Sequence, residues 1–330
     1  MQKFQTQLQL NNAHLPTQLE FLRVLNCRGS NYFFEEKKLY KSIQAGTEGE
    51  QKLLQYLIAF GKVHWVGLQN IWLKDFQTFE CDTVLITNHC IYIFEVKNYR
   101  GTFAYKEGKC FFNSIESPLN PFEQVRANAA SLRNYLKRLN IHIPVKAAVV
   151  FTGQDNEIHI HSEIKDIEVV QSTGIRNFIL RVIEEENRSP QHSLAPDYLI
   201  KQLEKIETSN PYMPSALSEP SICEIRSGIC CGNCFSFRYK RSKFKIHCDC
   251  GIEEKIEHAA LRTIKDYSIL HYDRPISRIE LMKFFNDEIG LSFLRKILDN
   301  NFTKVTKVGL ACYEINRKKI ERLISLLPYH

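Results

Sequence analysis

Apolar positions recur along this chain with two different periods, and each change of period marks a change of element. Thr83-Val84-Leu85-Ile86 and Ile91-Tyr92-Ile93-Phe94 are short apolar runs on either side of Asn88-His89. Runs of this length bounded by turn residues predict two strands joined by a hairpin. With Asn88 and His89 as the whole loop, Thr87 faces Cys90 and, counting back, Asp82 lies opposite Glu95. Helical spacing takes over elsewhere. Leu53, Leu54, Leu57 and Ile58 follow Ala45-Gly46-Thr47-Glu48-Gly49-Glu50, which reads as a helix start with Thr47 and Glu50 at capping-box spacing. Phe122, Val125, Ala129, Leu132 and Leu136 keep that spacing behind Asn120-Pro121, where Pro121 suits the first helical position.

The flanking regions read more coarsely. Leu15 to Leu25 predicts a helix packed on the core that these elements build. Residues 152–175 mix polar and β-like stretches that finish the sheet, and Arg176 to Glu186 reads as a helix. Its closing run Glu184-Glu185-Glu186 reads as a solvated helix end rather than a metal site. Thr208 to Ser215 is rich in breakers and predicts a linker. Beyond it, 257–270, 277–286 and 291–299 are short amphipathic helices, and Lys304 to Leu310 with Tyr313 to Ile315 suggest a hairpin. Three helices followed by a two-stranded wing give a winged-helix-like order, in which the third helix, carrying Arg295 and Lys296, would enter a DNA groove. A small helical bundle produces the same pattern.

The chemistry starts at the hairpin. Like charges directly opposed across a strand pair repel, so Asp82 and Glu95 make sense around a divalent cation. Lys97 leaves the same strand face as Glu95. Acid, acid and lysine on one face are the parts of a metal-dependent phosphodiester-cleaving site. Hard oxygen ligands suit Mg²⁺ or Mn²⁺, and the lysine would orient water or stabilise charge on phosphate. The plainer reading is an edge hairpin in which Lys97 neutralises one carboxylate. Glu50 likewise has a structural use as a cap. Gln124 lies off the apolar stripe of its helix and either reaches a neighbouring site or faces solvent.

Five pieces stand in order: Gly46 to Glu50, Phe79 to Ile86, Glu95-Val96-Lys97-Asn98 with Gly101, Asn120-Pro121 with Gln124, and Ala148 to Phe151. Together, residues 41 to about 155 resemble the nuclease-related domain, a branch of the PD-(D/E)XK nuclease superfamily. The resemblance implies a restriction-endonuclease-like α/β core, a mixed sheet flanked by helices. By motif position it gives the active-site roles to Glu50, Asp82, Glu95, Lys97 and Gln124. Cys81 departs from the family pattern, which has an aliphatic residue before the aspartate.

A second signal is the spacing of cysteines. The chain has 11 Cys, an odd number, with no N-terminal apolar segment that reads as a secretory signal and no run of membrane-spanning length. The expected compartment is a reducing cytoplasm, where clustered cysteines point to metal rather than disulfides. Cys231 and Cys234 form one CxxC knuckle; the second, His247-Cys248-Asp249-Cys250, is irregular. A structural Zn²⁺ needs four ligands: Cys231, Cys234 and Cys250, with either Cys248 or His247 as the fourth and Cys230 spare. The family resemblance supports zinc too, since nuclease-related domains are often followed by a small zinc ribbon.

Composition frames these signals. With 330 residues, 44% apolar and 25% charged, the chain is an ordinary globular protein with room for one sizeable domain and one or two small ones. Its net charge of +7 is partly local. Arg226, Arg238, Lys240, Arg241, Lys243 and Lys245 surround the cysteines, interleaved with Phe235, Phe237, Tyr239 and Phe244. That alternation suits phosphate contact and base stacking, or simply aromatics inside and cations outside. The sequence thus predicts an N-terminal extension (1–40), a nuclease-related domain (41–155), connecting helices and linker (156–220), a zinc-ribbon-like module (221–256) and a helical, winged-helix-like segment (257–330). The expected function is a Mg²⁺- or Mn²⁺-dependent nuclease acting on DNA, with no membrane partner. The competitor is a non-catalytic nucleic-acid- or partner-binding protein that keeps the nuclease fold as a scaffold.

Overall fold

The computed structural model describes residues 5–7, 17–29, 33–189, 196–217, 224–307, 310–316 and 319–320. The chain divides into two compact units, Met1–Ala13 with Ser42–Pro211 and His14–Lys41 with Tyr212–His330. Two helices open it, α1 (Gln18–Arg28) and α2 (Phe34–Phe60). Among the described residues, no helix is long and apolar enough to cross a membrane.

The first unit is built on a mixed sheet. Strands β1 (Gln5–Gln7), β2 (Val66–Lys74), β3 (Thr78–Ile86) and β4 (Ile91–Lys97) are followed by β5 (Gly101–Lys106), β6 (Lys109–Phe112) and β7 (Ile115–Ser117). Helix α3 (Pro121–Arg138) then leads to β8 (Val145–Phe151), β9 (Asn156–Ile160), β10 (Ile167–Gln171), α4 (Ile175–Arg188) and α5 (Pro196–Glu204). The six-stranded sheet runs β1-β2-β3-β4-β8-β10, and β7-β6-β5-β9 form a smaller second sheet. β4, β8 and β10 are parallel neighbours. Ile91 to Val96 and Ala147 to Phe151 are buried throughout, as parallel strands covered on both faces must be. One face packs against Phe122, Val125, Ala129 and Leu132 of α3, Leu199 and Leu203 of α5, and Phe103 and Tyr105 of the smaller sheet. The other packs against Leu53 and Leu57 of α2 and Ile175, Phe178, Ile179 and Val182 of α4.

The β3–β4 hairpin forms as expected, pairing Ile86 with Ile91 and Thr83 with Phe94, and the Thr87 N–H reaches the Cys90 carbonyl at 3.0 Å. α3 also starts where expected, with the Asn120 side chain accepting from the Phe122 and Glu123 N–H groups. α2 does not. It begins at Phe34 and runs unbroken through 45–50, so Thr47 is no N-cap and Glu50 closes no capping box. Gly49 is there because the helix passes close to its neighbours: a Cβ would lie 2.6 Å from Thr152 Oγ1 and 2.7 Å from Asn98 Cβ. The closing acids of α4 are not all solvated either. Glu186 is buried and accepts from Trp65 Nε1 at 3.1 Å and the Asn88 N–H at 2.8 Å, with Lys62 Nζ at 2.9 Å. Burial pushes its pKa up, but Lys62, the Asn88 N–H, His64 and Trp65 outweigh that and hold it at about 2.

In the second unit, α1 packs Phe21, Val24 and Leu25 among the C-terminal helices, rather than on the sheet core as the sequence suggested. Strands β11 (Tyr239–Arg241), β12 (Lys245–Cys248) and β13 (Glu253–Lys255) form a small antiparallel sheet. Then come α6 (Ile256–Leu270), β14 (Ile276–Ser277), α7 (Arg278–Phe285), α8 (Leu291–Asn301), β15 (Thr303–Lys307) and β16 (Leu310–Glu314). The last three strands pair in the order β14-β16-β15. Helix, strand, two helices and two strands is winged-helix order, with β14 added to the two-stranded wing read from the sequence. Val308 and Gly309, expected in the hairpin, lie outside the described residues.

Candidate functional site

The site in the first unit sits where side-chain alternation reverses on two strands at once. Val66 and Leu68 of β2 face the same core layer as Ile71 and Leu73, and Cys81 of β3 the same layer as Val84. Odd and even positions therefore exchange faces in mid-strand. The pairing register is unbroken across this point, with Gln69 opposite Thr83 and Ile71 opposite Cys81. The reversal falls at Asn70 and Asp82, which face each other between those pairs. Asn70 has φ +50, a left-handed conformation that asparagine tolerates better than most residues. Its Nδ2 donates to Glu50 Oε2 at 2.7 Å, so the kink fixes the acid carried by α2. The helix is held in turn by Asn98 Nδ2 on the Ala45 carbonyl (2.8 Å) and Lys52 Nζ on the Thr152 carbonyl (2.9 Å).

Asp82 and Glu95 come together as the register count implies. Asp82 Oδ2 accepts the Val96 N–H at 2.7 Å. Glu95 is 1% exposed and its Oε1 lies 2.5 Å from Lys97 Nζ. That contact is an ion pair too oblique for a hydrogen bond, since Oε1 has no hydrogen-bond partner. Burial first, then Asp82, raises Glu50 to about 7. Asp82 is itself raised by burial against the pull of Lys97 and the Val96 N–H, and Glu95 is raised by burial and by Asp82. Desolvation disfavours the Lys97 ammonium, but Glu95 and Asp82 outweigh it and keep the lysine charged.

A further acid belongs here. Glu80, two residues before Asp82, is raised to about 7 by burial and then by Asp82, and Trp72 opposite it in the ladder donates to it. The spacing Glu80-x-Asp82 was a visible signal for it. Gln124 is different. It lies half-exposed in the first turn of α3, and among the described residues its side chain makes no hydrogen bond to these carboxylates. Four carboxylates around one lysine are a hard-oxygen donor set whose mutual repulsion a divalent cation would relieve, so these residues fit Mg²⁺ or Mn²⁺.

The thiols of the second unit are more tightly gathered. The Sγ atoms of Cys231, Cys234, Cys248 and Cys250 all lie within 4.8 Å of one another, the only such ligand group among the described residues. Cys231 to Cys250 is 3.6 Å and Cys234 to Cys248 is 3.4 Å. A tetrahedral Zn²⁺ with bonds of about 2.3 Å sets sulfur–sulfur edges of roughly 3.8 Å, so the set fits zinc. The Asn233 N–H points at Cys231 Sγ (3.4 Å) and its Nδ2 at Cys250 Sγ (3.8 Å). His247 is not in the set, because alternation along β12 turns it away from Cys248, and its Nδ1 pairs with Glu253 at 2.9 Å. Cys230 is buried and takes a contact from Arg262 Nη1 at 3.5 Å instead.

A mixed sheet flanked by helices, with an acid–acid–lysine cluster on one central hairpin, defines a nuclease-like α/β domain. Residues 45–152 match the nuclease-related domain family (NERD), and this segment of the chain is a nuclease-related domain. No curated protein and no solved structure matches the chain.

Proposed function

We propose that this protein is a divalent-metal-dependent nuclease that hydrolyses phosphodiester bonds in DNA, with C-terminal modules that bind nucleic acid. The observation that carries this reading is the convergence of Glu50, Glu80, Asp82 and Glu95 on Lys97 within a nuclease-related domain. Glu50, Asp82 and Glu95 would hold Mg²⁺ or Mn²⁺, which supplies Lewis-acid polarisation of the scissile phosphate and acidifies water. Lys97, kept protonated by Glu95 and Asp82, orients the attacking water or stabilises charge developing on the phosphate. Burial around Glu95 lowers the local dielectric and strengthens both effects. Gln124 would support the site from the start of α3. Cys231, Cys234, Cys248 and Cys250 would hold a structural Zn²⁺, which contributes folding energy to the module around them.

One observation favours the scaffold reading. The carboxylates do not close on a common point, because the Val96 N–H, Lys97 and Asn70 each hold one of them. The discriminating experiment incubates the protein with labelled single- and double-stranded DNA and RNA, with Mg²⁺, Mn²⁺ or EDTA. Asp82→Ala and Lys97→Ala are run alongside. Metal-dependent cleavage lost in both variants supports the nuclease; binding without cleavage, equal in all three proteins, leaves the scaffold.

A further inference from the structure

Within the second unit, the end of α1 and the segment entering the cysteine module enclose a cleft of about 500 Å³. Its walls carry Arg28, Arg226, Arg238, Phe235, Phe237 and Glu224. Three arginines against one glutamate leave the cleft cationic. Arg226 and Arg238 are exposed, and among the described residues neither guanidinium has an acidic partner. Arg226 is held flat-on to the Phe237 ring, 4.2 Å from its centroid.

The floor is cationic as well. Arg28 is 2% exposed and shares Asp266 with Arg23, at 2.8 and 2.7 Å, so two buried or part-buried arginines meet one carboxylate. Its Nη1 donates to the carbonyls of Arg226 (3.3 Å) and Gly228 (2.9 Å), which fixes the stretch of chain that carries Arg226. Its Nη2 has no hydrogen-bond partner. The guanidinium lies against Phe237 at 5.5 Å and Phe284 at 5.1 Å.

Phe235 supplies an independent sign. Its φ is +58, a left-handed conformation that costs a bulky residue on the order of 1–2 kcal/mol. The knuckle turn imposes it through Phe235 N–H on the Cys231 carbonyl (3.1 Å) and Cys231 N–H on the Ser236 carbonyl (2.8 Å). Glycine would satisfy that turn without strain. The phenyl ring is instead retained, half-buried, in the wall of the cleft beside Phe237.

We infer that this cleft binds a single strand of nucleic acid, with a phosphate at Arg226 and Arg238 and a base stacked on Phe235 and Phe237. Arginine forks match phosphate oxygens, and aromatic rings stack on any base whose face is free. A duplex keeps its base faces covered, so the rings select unpaired strand. The inference rests on the reading that the protein acts on nucleic acid, and gives that reading a substrate form.

The test uses the full chain in an Asp82→Ala background, so that bound strand is not cut. A labelled twelve-residue oligothymidylate and a duplex of equal length are titrated by fluorescence anisotropy at several salt concentrations. Arg226→Ala with Arg238→Ala should weaken strand binding at least about tenfold and reduce the salt slope by about 1.4, from roughly 0.7 per lost phosphate contact. Phe237→Leu should weaken it about five- to tenfold. Duplex binding should change less than about twofold. Arg238→Ala alone guards against misfolding, because its guanidinium makes no ion pair or hydrogen bond among the described residues, and it should weaken the strand about threefold. Strand binding unchanged in Arg238→Ala and in the double variant overturns the inference. So does displacement of the strand by polyglutamate as readily as by unlabelled oligothymidylate, which would assign the cleft to acidic peptide. Parallel cleavage assays of the unsubstituted protein separate the two readings. Cleavage without Arg238-dependent binding removes the cleft and keeps the nuclease, and the converse removes the nuclease and keeps the cleft.

Discussion

The first unit gathers four carboxylates around Lys97, and the second gathers four thiols beside a small sheet, but the clusters are assembled in opposite ways. The thiols, two of whose pairs stand 3.4 and 3.6 Å apart, are neutral groups that can touch before any cation arrives. Their positions are set by short-range backbone turns, such as Phe235 N–H on Cys231 and the Gly251 N–H on Cys248, both to carbonyls. The carboxylates repel, and each is drawn off by its own donor. Their positions come from distant elements: a helix, a kinked strand and a parallel strand buried on both faces. The thiol cluster is therefore a folding device and the carboxylate cluster a strained one, stabilised by its surroundings and ready for a charge that relieves it.

The largest effect should come from removing the acid at the centre of the strained cluster. Asp82→Ala is expected to lower metal-dependent cleavage by about 10³-fold or more, as loss of a main charge-positioning group does. Fold should be retained, since Asp82 raises the pKa of Glu50, Glu80 and Glu95 and its removal relieves all three. Initial cleavage rates together with circular dichroism check both halves. A variant that cuts at more than a tenth of the wild-type rate would remove Asp82 from the chemistry.

The thiol cluster should respond in the other sense, in structure before activity. Cys234→Ser is expected to lower zinc affinity by more than the 10–100-fold typical of losing an outer hydrogen-bond partner. Metal analysis should show about one zinc per wild-type chain and much less in the variant. His247→Ala should keep the full zinc content, because His247 pairs with Glu253 and stands outside the sulfur set. Zinc lost on replacing His247 would overturn the four-thiol assignment.

Much of this contrast was readable in the chain, and the parts that were not have physical reasons. The β3–β4 hairpin was legible because two apolar runs flank a two-residue turn, and α3 because Asn120-Pro121 announces its start. The start of α2 was hidden: Glu35 to Gln44 carries no apolar stripe, and Gly46 and Gly49 look like breakers. Gly49 is instead demanded by the close approach of Asn98 and Thr152, a tertiary cause that local pattern does not carry. β14 is two residues long, below what periodicity resolves. The face of Cys248 was available from Ile246, which buries the same side of β12. The reversal at Asn70 and Asp82 was not, since it shows only when both strands are seen to exchange faces together.

Glu186 offers a sharper contrast, as an acid whose environment favours its charge. Its pKa of about 2 lies below the ordinary 4.5, so its contribution to stability is present above pH 4.5 and lost as pH falls through about 2. Glu186→Gln should cost on the order of 2 kcal/mol at pH 7, the usual scale for hydrogen bonds to a charged group. Lys62 and His64 are part-exposed, and screening keeps the figure from being larger. Denaturant titrations followed by the fluorescence of buried Trp65 should show the difference at pH 7 and little of it near pH 2. A gap that stays constant down to pH 2 would mean that packing, not charge, makes Glu186 matter.

Glu80 should behave oppositely and by the smallest amount. Its pKa is raised to about 7, so the folded chain holds the proton more tightly than the unfolded one. The corresponding stability is fully present below pH 4.5 and lost as pH rises through about 7. Glutamine keeps an oxygen for the Trp72 donor and removes the charge that Asp82 opposes. Glu80→Gln is therefore expected to match wild type near pH 4.5 and to exceed it by about 1 kcal/mol at pH 8, in buffer free of Mg²⁺ and Mn²⁺. Adding Mg²⁺ should close the gap, because the cation would favour wild type more than the variant. Thermal melts at the two pH values, with and without Mg²⁺, decide it. A variant less stable than wild type at pH 8 without the cation would place Glu80 among the structural acids, beside Glu186.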